Sequence, residues 1–294
     1  MSHIPALPAE LQRDIFELAV RSIRGSGRQL VTVARRVHIW YAYYFVICKH
    51  AASVHPSSAR IEPVVYEMVT LDQPQINAFL RTVNSKPAAF FAKHVKTLCL
   101  TENIEKEDAL RVLSVCTGIV NLAVWTDFGQ CADTLSVIAN LRLRRFAIPL
   151  QTLIGRTLEV VNLTAFRELT HLDINDFQHC WMDVTFDLPH LTHLALNFSL
   201  HASVAIALRN ILLKIKSLQI VVLSLDTDHW EMSQYAHAHL KRHGLDDPRV
   251  VALSYAEFSL KEWEGFERAE VDRWARAEAI VMSRSCTWGK SLPV

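Results

Sequence analysis

A short motif returns about once every two dozen residues: an apolar position, two variable ones, then leucine, any residue, leucine. It reads Val95-Lys-Thr-Leu98-Cys-Leu100, Ile119-Val-Asn-Leu122-Ala-Val124, Leu143-Arg-Arg-Phe146-Ala-Ile148, Leu169-Thr-His-Leu172-Asp-Ile174 and Leu191-Thr-His-Leu194-Ala-Leu196. Looser copies are Ile220-Val-Val-Leu223-Ser-Leu225 and Val250-Val-Ala-Leu253-Ser-Tyr255. The fourth positions are separated by 24, 24, 26, 22, 29 and 30 residues, the spacing of leucine-rich repeats, with the last two at or just past its upper edge. A period of this size specifies a stack of similar units rather than a globule around one centre.

Between the repeat strands the periodicity turns helical. Glu105–Cys116 carries Leu110 and Leu113 on one face, Cys131–Leu141 carries Leu135 and Ile138, and His201–Ser217 carries Val204, Leu208, Ile211 or Leu212, and Ile215. Strand, helix, strand at this period predicts an α/β fold: an irregular leucine-rich-repeat-like solenoid over 95–258, with parallel strands, right-handed crossovers and helices on the convex side. A helix from about Leu260 to Met282 carries Trp263, Phe266, Trp274 and Val281 on one face, and 259–294 is expected to cap the last repeat.

Half of the 294 residues are hydrophobic and 21% are charged, as in a folded protein. With 31 basic against 30 acidic residues, charge gives no case for nucleic acid or an anionic membrane as partner. Eight glycines, and no GxGxxG or GxxxxGK[ST], argue against a phosphate-binding loop. The six cysteines are scattered without a CxxC pair, and no charged-then-apolar leader is visible; reduced thiols and a cytoplasmic or nuclear location are the expectation. The most apolar stretch, Ile39 to Cys48, is too short to span a bilayer.

The chain opens Ile4-Pro-Ala-Leu7-Pro8-Ala-Glu10-Leu11, with Pro8 and Glu10 suited to a helix start and Leu11, Ile15, Leu18 and Ile23 on one face. Arg24-Gly-Ser-Gly-Arg28 breaks that helix, and a second runs from about Gln29 to Trp40. The run Leu7-Pro8-x-Glu10-Leu11-x-x-x-Ile15-Phe16-x-Leu18 resembles the opening of an F-box, and Leu30 to Trp40 resembles its second half. The resemblance implies a short helical module, 1–40, that docks on the Skp-type adaptor of a cullin–RING ubiquitin ligase through Leu7, Pro8, Leu11, Ile15, Phe16 and Leu18, with Val33, Val37 and Trp40. The chain departs from the family in lacking the usual acidic residue before the second helix and in carrying Ala34 where a cysteine is common.

The wider layout is similar to F-box-like proteins abundant in mushroom-forming fungi. The matching stretches are Glu62-Pro-Val-Val-Tyr66-Glu-Met-Val-Thr-Leu71, a helix at Ile76–Val83, Ser85-Lys86-Pro87, His94 to Leu98, Asp247-Pro248-Arg249, Trp263 and Asp272-x-Trp274-x-Arg-Ala-Glu278. Against that layout 41–60 reads as an insertion, either an unspliced intron in the gene or an extension of the second helix into the core. Linker helices are expected over 61–94.

In a repeat strand the leucines point into the stack and the residues beside them face outward. These strands alternate rather than being apolar throughout, which predicts one exposed face. Trp125, Arg145, His171, Asp173, His193, Asn197 and Asp226 are the expected target-binding patch on it, since tryptophan and arginine favour interface hot spots. His171 and His193 occupy equivalent places about 5 Å apart, one strand spacing, with Asp173 nearby. A metal or acid–base site there lacks a third ligand, and Leu-Thr-His in both repeats is more simply repeat similarity. His229, His237, His239 and His243 form a second cluster without HExxH, read as a solvated helix face. No GxSxG elbow occurs. The expectation is a receptor without catalytic residues, cofactor or metal, linking a target protein to the ligase; the alternative is a repeat scaffold whose F-box recruits no ligase.

Overall fold

A computed structural model describes residues 66–101, 103–126, 132–148, 164–174, 188–197, 202–225, 230–254, 263 and 272–288. The chain divides into a unit of Met1–Val69, of which only 66–69 are described, and a unit of Thr70–Val294. The F-box-like module and the 41–60 segment lie outside the described residues.

One sheet holds eight strands in strictly sequential order: β1 (Met68–Leu71), β2 (Thr97–Leu100), β3 (Asn121–Val124), β4 (Arg145–Ile148), β5 (His171–Ile174), β6 (His193–Asn197), β7 (Ile220–Leu225) and β8 (Val250–Ser254). From β2 to β8 every neighbouring pair is parallel. Seven helices are described: α1 (Gln73–Ser85), α2 (Ala88–His94), α3 (Lys106–Val115), α4 (Ala132–Ile138), α5 (Ala202–Lys214), α6 (Trp230–Arg242) and α7 (Arg273–Trp288). The fold is α/β with a single open parallel sheet, compatible with a solenoid-like stack.

The register explains the repeat. Leu98, Leu122, Phe146, Leu172 and Leu194 stand side by side on one face, all buried. The next partners are Val221 and Val250, not Leu223 and Leu253. The last two intervals are therefore 27 and 29, inside the leucine-rich-repeat range rather than beyond it. Leu253 pairs with Ser224 and so lies on the opposite face from the leucine column.

Crossovers of one hand between sequential strands carry their helices to one face of the sheet. There α3 buries Ala109, Val112 and Leu113, a face rotated slightly from the Leu110–Leu113 expectation, and α5 buries Val204, Leu208 and Leu212. Helix α1 starts at Asp72, whose side chain accepts the Gln75 N–H at 2.8 Å, and it ends at the Ser85-Lys86-Pro87 turn.

Two glycines hold tight passages. A Cβ on Gly118 would stand 1.8 Å from the Ala92 carbonyl oxygen, so α2 and the turn before β3 touch backbone to backbone. Gly244 has φ +75°, the left-handed position that closes α6, and Leu245 N–H reaches the Leu240 carbonyl across it. The Arg209 guanidinium on α5 donates to the His243 and Gly244 carbonyls there, at 3.1 and 2.6 Å.

A buried polar cluster between the sheet and the C-terminal helix

On the face away from the leucine column, Arg145, His171 and His193 form one row across β4, β5 and β6. A second row runs Cys99, Ala123, Ala147, Asp173, Ala195, Val222 and Val251. Both rows were expected to be open. Instead Arg145 (3% exposed), Asp173 (6%) and His193 (6%) are enclosed, because the C-terminal segment lies over them.

The cover is built from alternating aromatic and charged residues. Trp263 lies under the Arg145 guanidinium, 4.1 Å from its ring centroid. Asp272 caps α7 by accepting the Ala275 N–H at 2.9 Å, which sets the helix running across the strands. Arg273 then pairs with Asp173, both buried. Trp274 presents its ring edge-on to His171 and His193, 5.4 Å from each. One turn on, Ala277 packs with Trp274 against Ala195, Ile220, Val222 and Val251, and the half-buried Leu253, Ile280 and Val281 complete that cluster. The segment expected to cap the end of the last repeat thus lies across the sheet face, with α7 over β6 to β8. The driving force is that Ile220, Val222, Val251 and Leu253 make this part of the face apolar, and it must be buried.

The two imidazoles stack at 4.2 Å with an interplanar angle of 9°. His193 Nε2 stands 3.1 Å from the Glu278 carboxylate, an oxygen that only accepts, so this nitrogen carries the proton. Nδ1 is then the acceptor for the Thr192 hydroxyl at 2.8 Å. The Thr170 hydroxyl donates to the Arg144 carbonyl at 3.0 Å, and its oxygen lies 2.9 Å from His171 Nδ1. Burial, reinforced by His193, Arg145 and Arg273, lowers the His171 pKa to about 3. Burial also lowers that of His193, opposed by the hydrogen bond and charge of Glu278 and by the charge of Asp272.

Of the remaining expected contact residues, Trp125 and Asn197 are partly buried and share a third row. They stand three strands apart, about 14 Å by strand spacing. Asp226 and all nine adaptor-binding residues, Leu7, Pro8, Leu11, Ile15, Phe16, Leu18, Val33, Val37 and Trp40, lie outside the described residues. The structure brings Arg145, His171, Asp173 and His193 together and leaves Trp125 and Asn197 apart from them. Sequence reasoning missed Asp272, Arg273 and Glu278 as their partners. The available signal was Ile220-Val-Val-Leu-Ser-Leu225, apolar on both faces, which marks a strand covered on both sides.

Chemically, the cluster's groups are turned on one another. Among the described residues no three His, Cys, Asp or Glu side chains are placed to hold a metal ion. Cys116, buried in the stack, has its thiol pKa raised to about 12 by desolvation, which leaves it inert at neutral pH. A cavity of about 360 Å³ opens beside the β8 edge, lined by His237, Lys241, Asp246, Asp247 and Arg284 among others. Its charges are engaged: Lys241 with Asp246 at 2.9 Å, Asp247 with Arg249 at 2.8 Å, and Arg284 with the Val250 carbonyl at 2.8 Å and His237 at 3.1 Å. None of the described helices is long and apolar enough to cross a membrane.

The fold and cluster define an α/β chain with a sequential parallel sheet whose second face carries a C-terminal helix. No family model, curated protein or solved structure matches the chain.

Proposed function

We propose that this chain is a non-enzymatic receptor of the F-box type, with a leucine-rich-repeat-like stack that holds a target protein near a ubiquitin-charged enzyme. The observation that carries the reading is the in-register leucine column over seven sequential parallel strands, a one-dimensional stack whose common use is an extended binding surface. The Leu7-Pro8-x-Glu10-Leu11 opening, with Ile15, Phe16 and Leu18, supplies the adaptor end by resemblance; Val33, Val37 and Trp40 extend it. With Arg145, Asp173 and His193 enclosed, target contact falls first to Trp125, His171 and Asn197, which are only partly buried. Catalysis belongs to the partners, and this chain contributes proximity.

The test is co-purification of the full chain with a Skp-type adaptor. Adaptor is expected with the unaltered chain and absent with Leu11→Asp or with Pro8→Ala plus Ile15→Asp. Retention of adaptor by those variants would sink the ligase reading. The second reading, a scaffold that recruits no ligase, is favoured by the departures at Ala34 and before the second helix; it expects a stable complex with another protein and no adaptor.

A further inference from the structure

We infer that the rim of the stack where strands β4 to β7 begin is a docking surface for an extended, carboxylate-rich segment of a partner protein. The inference goes beyond the receptor reading. It gives a partner chemistry to a surface which that reading does not use, and it holds with or without the adaptor.

The repeat itself supplies a fixed frame. Just ahead of each strand an amide donates to the carbonyl of the preceding unit, so Arg144, Thr170, Thr192 and Gln219 stand side by side. Hydroxyls tie the same turns: Thr170 to the Arg144 carbonyl at 3.0 Å, Thr192 to the Thr170 carbonyl at 3.2 Å, and Ser217 to the Leu191 carbonyl at 2.8 Å. Side chains on this rim therefore stand on ordered backbone, which lowers the ordering cost of binding. From Arg144 to Gln219 is three strand spacings, ~14 Å. An extended chain covers that distance with about four to five residues.

The rim is also basic. Arg142 and Arg144 flank Leu143 ahead of β4, Arg167 precedes β5, and Lys214 and Lys216 precede β7; all are exposed. None of them forms an ion pair among the described residues. Two carboxylates on the rim are already neutralised, Asp246 by Lys241 and Asp247 by Arg249, which leaves Glu168 facing those cations. The positive charge is a segregation and not an overall excess. The whole chain carries +1, and the opposite rim opens α1 and α3 with Asp72, Glu105, Glu107 and Asp108.

Helix ends attract cations because of the partial negative charge of the last carbonyls, and that accounts for Lys214 at the end of α5. It does not account for Arg142, Arg144, Arg167 and Lys216, which belong to no helix. Guanidinium groups take carboxylates in paired hydrogen bonds, so an acidic peptide fits them. Single-stranded nucleic acid fits less well: among the described residues of this rim no exposed phenylalanine, tyrosine or tryptophan offers a base a stacking surface.

The experiment uses the full chain and a fluorescein-labelled hexaglutamate peptide, followed by fluorescence anisotropy at about 150 mM salt, where charges farther apart than about 8 Å are screened. Saturable binding is expected, and Arg144→Glu with Lys216→Glu is expected to weaken it at least tenfold. Arg142→Glu with Arg167→Glu is a second, independent rim variant with the same expected loss. Arg81→Glu with Arg111→Glu makes the same change of net charge on α1 and α3, and is expected to weaken binding less than threefold. Absence of saturable binding up to about 1 mM peptide would overturn the inference, as would equal losses in the rim and control variants. Tighter binding of a labelled twelve-residue oligothymidylate than of hexaglutamate would assign the rim to nucleic acid instead. Self-association of the unaltered chain in sedimentation, abolished by the rim variants, would assign it to a second copy and equally overturn the inference. None of these readouts involves the adaptor, so they stand or fall separately from the ligase test.

Discussion

Removing the Asp173 carboxylate would leave the Arg273 guanidinium, 4% exposed, without its counter-charge. Breaking a buried pair from one side typically costs about 3–5 kcal/mol, because the remaining ion has lost its water and its partner together. Asp173→Ala is therefore expected to lower unfolding free energy by that amount in urea titration, and Asp173→Leu with Arg273→Met to recover most of it. The surface pair Arg111–Asp108, with arginine 55% exposed, is expected to contribute far less. Sequence alone did not reveal this residue-scale distinction. Asp173, Arg145 and His193 read as target-binding residues on an exposed face because charged side chains usually lie at the surface, and their partners lie 85 to 118 positions away: Glu278 for His193 and Trp263 for Arg145 at the two ends of that span, with Arg273 between.

Gly118 sets the element-scale geometry where α2 meets the turn before β3. A methyl group there would collide with the Ala92 carbonyl, which is backbone and cannot rotate away. Gly118→Ala is expected to cost about 1–3 kcal/mol as an overpacked site, seen as a lower urea midpoint with an unchanged slope. Elements were legible wherever one face alone is apolar. Leu98, Leu122, Phe146, Leu172 and Leu194 lie in one column because period 2 within each strand and period 22–26 between strands agree. The pattern slipped at β7 and β8 for a physical reason. Ile220-Val221-Val222-Leu223 is apolar at every position, so alternation no longer says which residue faces which side. Leucine marks the repeat in the earlier strands, whereas Val221 and Val250 fill those places in β7 and β8.

At the scale of the whole molecule, His171, His193 and His237 all sit in surroundings that disfavour the imidazolium, burial being the first cause in each. Their pKa values are lower folded than unfolded. Between the ordinary histidine value near 6.5 and the folded value, the unfolded chain binds more protons, so stability is full above about pH 6.5 and is lost as pH falls. For His171 the window extends down to about pH 3. It faces His193 on β6, Arg145 on β4, and Arg273 and Trp274 on α7, so its protonation adds a third positive charge beside two arginines. Thermal unfolding followed from pH 7 to pH 4 is expected to show a falling midpoint, and His171→Leu to flatten that fall by up to one proton's share, ~1.4 kcal/mol per pH unit. Acid should therefore weaken the contact between α7 and the sheet before it weakens the leucine column, which contains no titratable group.

The way α7 lies over the last strands also governs how the chain would yield to a mechanical load. In a sheet whose strands follow one another in sequence, the strand nearest the pulled end can peel alone, each at a small force. Here the end of the chain passes back over β6 to β8, and Arg284 near its tail grips the Pro248 and Val250 carbonyls along the β8 edge. A pull on the C-terminus meets that grip first. The Trp274 and Arg273 anchors have to rupture next, before β8 can peel away, so the helix acts as a strap across the last strands of the stack.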